Sequence, residues 1–108
     1  EFADLVKLKL MYPSMTRENS NTEVMLFEKN FKLINKVTPN SFAIRGFDVT
    51  FDALMRLSQP NGFMESANQV TEQVESKSDY FKNETGGFAN KGWYILYYDA
   101  DLTVKEAK

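Results

Sequence analysis

The sequence predicts a single α/β domain, residues 1–108, in which two main helices pack on a small mixed or antiparallel sheet. Three observations predict this class. Apolar residues alternate near the amino terminus, recur at helical spacing between residues 21 and 58, and form aromatic and β-branched runs from about residue 74. Of the 108 residues, 43% are hydrophobic, so we expect a modest core.

The first predicted element is a strand in the segment LVKLKLMYPS. Val6, Leu8, Leu10 and Tyr12 alternate with Lys7, Lys9 and Met11, which is the pattern of a strand with one buried face. We expect Pro13 to end this strand.

Two amphipathic helices are predicted next. The first runs from Asn21 to Lys36, opens with a capping box of Ser20 and Glu23, and has the apolar stripe Val24, Phe27, Phe31 and Ile34. The second runs from about Ser41 to Ser58, with Asn40 as its N-cap and Pro60-Asn61-Gly62 beyond its end. Its predicted buried stripe is Ile44, Phe47, Phe51, Leu54 and Met55.

The polar residues of the second helix are predicted to face away from that stripe. Asp52 and Arg56 are four apart and are expected to pair at the surface. Arg45 and Asp48 are expected to form a solvated pair, or else Arg45 anchors a ligand carboxylate. Gly46 is predicted to allow close approach of another backbone, because glycine is otherwise unfavourable inside a helix.

The second half predicts short elements joined by turns. The segment FMESANQVTEQVES reads as a short helix followed by an extended stretch, and Asn83 to Gly87 as a hairpin turn. Trp93 to Tyr98 is almost entirely apolar or aromatic, as in a strand buried on both faces. Asp99-Ala100-Asp101 is predicted to be a tight turn, since the Gly and Glu that a calcium loop requires are missing.

Composition excludes several kinds of function. With no cysteine and no histidine, the chain has no disulfide, thiol nucleophile, imidazole base or Cys/His zinc site. Its net charge of −2 argues against nucleic acid as a partner, and the aromatic residues from Tyr80 to Tyr98 are expected in core and sheet surface rather than as a stacking platform. We predict no catalytic activity, no metal site and no cofactor.

Two passages resemble a known family. LFEKNFKLINKVTPNSFAIRGFDVTFDALMRL and GGFANKGWYILYYDADLTVKE are similar to the C-terminal lobe of type I periplasmic solute-binding proteins, in the branched-chain amino-acid-binding branch. The segment SFAIRGFDVTFDALMRL most resembles envelope members of this family from Bacteroidetes, some of which have LysM modules. The resemblance covers nearly all of this chain but only about a third of a family member.

The resemblance implies a fragment of a longer protein of the periplasm or cell envelope, whose targeting signal lies upstream of Glu1-Phe2. It implies that the parent binds an amino acid or similar small solute between two lobes, for an ABC permease or for sensing. The alternative is an envelope lipoprotein scaffold linked to peptidoglycan. The matching ligand contact is Phe42, with Arg45 beside it as a candidate. We also expect the fragment to form a homodimer through the edge of the LVKLKLMY strand.

Overall fold

The computed structural model describes residues 1–18 and 22–107, which have a mixed helix and strand architecture. This confirms the α/β class at a coarse level. The elements are, in chain order, α1 (Phe2–Lys7), β1 (Met11–Ser14), α2 (Thr22–Asn35), α3 (Ser41–Leu57), α4 (Gly62–Ser66), β2 (Thr71–Glu72), β3 (Lys77–Ser78), β4 (Tyr80–Lys82), β5 (Phe88–Asn90), β6 (Tyr94–Tyr98) and β7 (Val104–Glu106).

The strands form three small antiparallel sheets within the described residues, and not the single sheet that we predicted. The largest has the order β1-β6-β7, with Met11 opposite Tyr97 and Tyr98 opposite Val104. β2 pairs with β3 and β4 pairs with β5. The amino-terminal strand β1 and the carboxy-terminal strand β7 therefore flank β6, which brings the two ends of the chain together.

The prediction of a strand in the segment LVKLKLMY is wrong. Its first part is helix α1, and only Met11 and Tyr12 belong to β1. Asp4 in the first turn and Lys7 in the last turn suit the helix dipole, and Lys9, with φ 52°, reverses the chain before β1. Pro13 lies inside β1 and does not end it, which an edge strand tolerates. The dimer through this strand stays a prediction, and Met11–Ser14 do lie at the edge of a sheet.

The two predicted helices are confirmed within a few residues. α3 begins where expected, because the Asn40 side chain accepts a hydrogen bond from the Ala43 amide at 2.9 Å. α2 ends before Lys36, whose φ of 63° is left-handed. The predicted capping residue Ser20 and the predicted first residue Asn21 lie outside the described residues.

The predicted orientation of α3 is wrong. Its buried residues are Ile44, Asp48, Asp52 and Arg56, whereas Phe47, Phe51, Leu54 and Met55 of the predicted stripe are exposed. The stripe is not covered, because α3 packs its charged face against the backbone of residues 66–78, where these charges find partners.

The predicted role of Gly46 is also wrong. A β-carbon at Gly46 would meet no atom within 4 Å, since this side of α3 faces solvent. The position that has no room for a side chain is Gly92, where a β-carbon would lie 2.4 Å from the Lys77 carbonyl oxygen. Sequence reasoning did not single out Gly92.

Strand β6 alternates in burial, so its predicted burial on both faces is wrong. Tyr94 and Leu96 are buried, whereas Trp93 and Ile95 are 57% and 43% exposed. The two predicted turns are confirmed. The Asn83 amide donates to the Gly87 carbonyl between β4 and β5, and the Asp99 amide donates to the Thr103 carbonyl between β6 and β7.

The apolar core of the described residues is small. It contains Val24, Ile44, Ala67, Tyr94 and Leu96. The predicted short helix before an extended stretch is confirmed as α4 followed by β2. In the part of the chain that the structure describes, no helix combines the length and apolarity needed to cross a membrane.

Candidate functional site

An open cleft of about 530 Å³ lies beside the three-stranded sheet. One wall comes from β1 and the residues after it, and another comes from β7. The segment before β3 closes the third side, because Thr16 bridges Ser76 and the Arg17 amide donates to the Glu75 carbonyl at 2.9 Å. The lining residues are Tyr12, Ser14, Thr16, Arg17, Glu18, Glu75, Leu96, Val104, Lys105 and Glu106.

Arg17 is the central cation of this cleft. Its Nη1 donates to Glu106 at 2.6 Å and its Nη2 donates to Glu72 at 3.1 Å. Lys77 lies 3.7 Å from Glu106 and 3.8 Å from Glu72, so the two cations and two carboxylates form a closed ring of ion pairs. These side chains are partly exposed, so the ion pairs add little to the free energy of unfolding. We infer that their main role is to hold Arg17 and Lys77 in position.

Tyr94 lies beneath this ring and is fully buried. The Arg17 guanidinium carbon is 4.9 Å from the centre of the Tyr94 ring, and the Lys77 ammonium is 4.6 Å from it. Both distances are within the range of a cation–π contact, which fixes the two cations over one aromatic face.

Two buried polar atoms in this cluster have no hydrogen-bond partner among the described residues. They are Arg17 Nε and the Tyr94 hydroxyl oxygen. Buried polar groups are nearly always paired, and an unpaired one costs about 1–3 kcal/mol.

Burial and neighbouring charges shift the pKa values of Tyr94 and Arg17. Burial raises the pKa of Tyr94 to about 12, with Glu72 and Glu106 adding to the rise and Arg17 opposing it. Burial lowers the pKa of Arg17, but Tyr94, Glu72 and Glu106 together raise it by more. Tyr94 is therefore neutral and Arg17 charged at neutral pH.

Glu75 supplies negative charge on the wall of the cleft next to Arg17. Its pKa is raised, first by burial and then by the carboxylates of Asp48, Glu18 and Glu28. Within the described part of the chain, no cation lies within ion-pairing distance of Glu75. The cleft therefore combines a cation with a carboxylate that has no counter-ion among the described residues.

Asp48 holds Glu75 in place. The Asp48 carboxylate is 1% exposed and accepts hydrogen bonds at 3.0 Å from the backbone amides of Val74, Glu75 and Ser76. Three amides that converge on one carboxylate fix the backbone of this segment to α3. The cleft wall is thus positioned by a helix that does not itself line the cleft.

One turn further along α3, a second buried group fixes the neighbouring loop. Arg56 pairs with Asp52 at 2.7 Å, and both side chains are about 3% exposed or less. Its guanidinium also donates to the carbonyl oxygens of Ser66, Gln69 and Ser78. The predicted pair of Asp52 and Arg56 is confirmed, but it is buried and not on the surface as predicted.

The structure places the predicted ligand residues away from this cleft. Phe42 is 79% exposed at the first turn of α3. Arg45 is exposed and lines a crevice of about 90 Å³ with Met15, Val49 and Lys77. Both residues stay predictions. The predicted pair of Arg45 and Asp48 is wrong, because Asp48 is buried among backbone amides.

Sequence reasoning did not single out Arg17 or Glu72, and it did not place Tyr94 or Glu106 beside them. Arg17 and Glu106 are 89 residues apart, and Arg17 lies in a polar segment without periodicity. The available signal was the combination of an isolated arginine in a loop and a tyrosine inside an apolar strand. That signal does not indicate which carboxylates they meet.

No known protein-family model, curated protein or solved structure matches this chain. The resemblance to periplasmic solute-binding proteins therefore stays a prediction, and the geometry of the cleft carries the functional argument.

Proposed function

We propose that this chain is a non-catalytic binding module that forms one wall of a site for a small zwitterionic solute, such as an amino acid. The observation that carries the proposal is that one open cleft is lined by both the Arg17 cation and the Glu75 carboxylate. The solute carboxylate accepts from Arg17, and its ammonium donates to Glu75.

Charge supports a zwitterion over a simple anion or cation. Arg17 is already shared by Glu72 and Glu106, so it would bind a lone anion weakly. Glu75 lies among other carboxylates, which favours a positive group beside it. A molecule with both charges a short distance apart satisfies both sides of the cleft.

The open shape of the cleft supports a site completed by a second wall. Small ligands are usually buried over most of their surface, and an open cleft cannot do this alone. In our proposal the parent is a periplasmic-binding-type protein of the cell envelope, and its other lobe closes over the solute by hinge motion. Capture then serves an ABC permease or a sensor.

The buried carboxylates support a non-catalytic role. Asp48 is occupied by three backbone amides, and Asp52 by Arg56, Thr71 and Gln73. Neither faces the cleft, so neither is placed to transfer a proton to a bound molecule.

A thermal-shift series tests this proposal, on this chain and on the parent protein that we propose. We expect amino acids to raise the melting temperature, and matched molecules with only the carboxylate or only the amine to raise it less. A ligand at a hundredfold excess over its dissociation constant stabilises by about 2.7 kcal/mol. The parent should respond at lower concentration than the isolated chain.

Two variants sharpen the series. Arg17→Met should abolish the shift, and Lys82→Met, which removes an exposed cation from β4, should retain it. The proposal is wrong if neither protein responds to any zwitterion. A response to peptidoglycan fragments alone would favour the envelope scaffold instead.

A further inference from the structure

The floor of the solute cleft is one face of the three-stranded sheet. Tyr12 lies opposite Leu96 where β1 pairs with β6, and Leu96 lies opposite Glu106 where β6 pairs with β7. Val104 lies opposite Tyr98, two residues beyond Leu96, so its side chain is on the same face. Three of these residues line the cleft with apolar groups, and we call them the apolar floor: Tyr12, Leu96 and Val104.

Arg17 lies at one end of the apolar floor. Its guanidinium carbon is 4.9 Å from the centre of the Tyr94 ring, and Tyr94 precedes Leu96 by two residues on the same face of β6. Val104 pairs with the residue two positions beyond Leu96. At about 3.3 Å per residue, the apolar floor extends about 13 Å from the ring under Arg17. The cleft therefore has room for a solute with a long side chain.

The charges that line the cleft are not balanced. Its two cations, Arg17 and Lys105, each pair with two carboxylates of the chain. Glu18 and Glu75 also line the cleft, and neither has a cation within ion-pairing distance in the described part of the chain. Two carboxylates therefore lack a counter-ion, whereas a solute with one ammonium group supplies only one.

Glu18 lies beside the apolar floor and close to Glu75. The pKa of Tyr12 is raised by burial first, then by Tyr98, and also by the Glu18 carboxylate. The pKa of Glu75 is raised by burial, then by Asp48 and then by Glu18. A second positive charge on the solute would reduce the repulsion between Glu18 and Glu75.

We propose that the solute of this cleft is a basic amino acid, such as lysine or ornithine, an inference that rests on the proposed function. Its carboxylate accepts from Arg17, its α-ammonium donates to Glu75, and its side-chain ammonium donates to Glu18. Its methylene groups lie on the apolar floor, because long cationic side chains bury their stems against apolar surface. An amino acid with a neutral side chain would leave Glu18 without a counter-ion, and an acidic one would add a third carboxylate.

Isothermal titration of the full chain with L-lysine and with L-norleucine tests this inference. Norleucine has the same methylene stem and lacks only the side-chain ammonium. We expect lysine to bind about fivefold more tightly at low ionic strength, as for one partly exposed ion pair, and the difference to shrink in high salt. Equal affinities at low ionic strength would overturn the inference and leave the proposed function standing. Binding of neither amino acid would overturn both.

Two variants assign the preference to one carboxylate. Glu18→Gln should make the affinities for lysine and norleucine about equal. Glu84→Gln removes the same charge from the exposed turn between β4 and β5 and should retain the preference. Both glutamates are exposed, and circular dichroism checks that both variants fold. A preference that both variants retain, or that both lose, would overturn the inference.

Discussion

Arg17 and Glu75 are the two residues on which the proposed solute site depends. They occupy neighbouring walls of one cleft, and the Arg17 amide donates to the Glu75 carbonyl. Among the described residues, Glu75 has no counter-ion, and burial and neighbouring carboxylates raise its pKa. A carboxylate perturbed in this way inside a cleft is typical of binding sites.

Glu75→Gln should therefore stabilise the protein at neutral pH. Because the folded pKa of Glu75 lies above its unfolded value, the folded state retains this proton to higher pH than the unfolded state. The ionised side chain thus destabilises the fold above its folded pKa, and this loss disappears as the pH falls below about 4.

In urea titrations, we expect the free energy of unfolding of Glu75→Gln to be higher than that of wild type at pH 7 and to approach it near pH 4. Glu84→Gln, in the exposed turn between β4 and β5, is the control and should show no such difference. A Glu75→Gln protein that is less stable than wild type at pH 7 would contradict this assignment. The same variant should bind a zwitterion more weakly, so stability and binding change in opposite directions.

Gly46 gives the simplest prediction at this scale. Since a β-carbon there meets nothing within 4 Å, Gly46→Ala should stabilise the protein by up to about 1 kcal/mol through helix propensity alone. Chemical denaturation followed by circular dichroism measures the change. A loss of stability would show that another backbone does approach this position. Gly92→Ala should instead destabilise, because its β-carbon would overlap the Lys77 carbonyl.

At the scale of elements, α3 shows what a helical pattern can predict. Its boundaries followed from Asn40 and from the apolar spacing, and both were confirmed within one residue. The choice of buried face could not be predicted in the same way. Periodicity identifies an apolar stripe. The partners of Asp48 and Arg56, however, come from residues 66–78, which are between 10 and 28 positions away in the sequence. The spacing of apolar residues does not predict those contacts.

The buried network of Arg56 should be essential to the fold. Arg56→Met leaves the Asp52 carboxylate buried without its cation and removes the donor to three carbonyls, so we expect a loss of about 3–5 kcal/mol. Arg45→Met makes the same substitution at an exposed position of α3 and should change stability by less than about 0.5 kcal/mol.

Urea titrations of the two variants, followed by circular dichroism, measure both changes. Adding Asp52→Asn to Arg56→Met should recover part of the loss, because it removes the uncompensated charge. An Arg56→Met protein within about 1 kcal/mol of wild type would show that this network is not what holds α3 to residues 66–78.

The prediction of an amino-terminal strand was wrong for a different reason. The alternation from Val6 to Tyr12 is compatible with a strand, yet α1 forms there and packs Phe2 edge-on against Tyr98 at 5.1 Å. Short apolar segments do not distinguish helix from strand by pattern alone. The hairpin turns were predictable because their residues act locally. Gly86 and Gly87 have φ of 94° and 78°, which favour glycine at these positions.

At the scale of the whole molecule, the fold is extended for its length. The radius of gyration is 16.5 Å, whereas a compact chain of 108 residues has about 13 Å. The predicted mixed α/β class survives at this scale, but a single sheet with two helices packed on it does not.

The measurement that tests the central claim most directly is a nuclear magnetic resonance titration of the isotope-labelled chain with an amino acid. Our account predicts saturable shifts of the Thr16, Arg17 and Glu75 amides, which are lost in Arg17→Met. Saturable shifts at Phe42 and Arg45 instead would place the solute at the start of α3, and would contradict the assignment of the cleft.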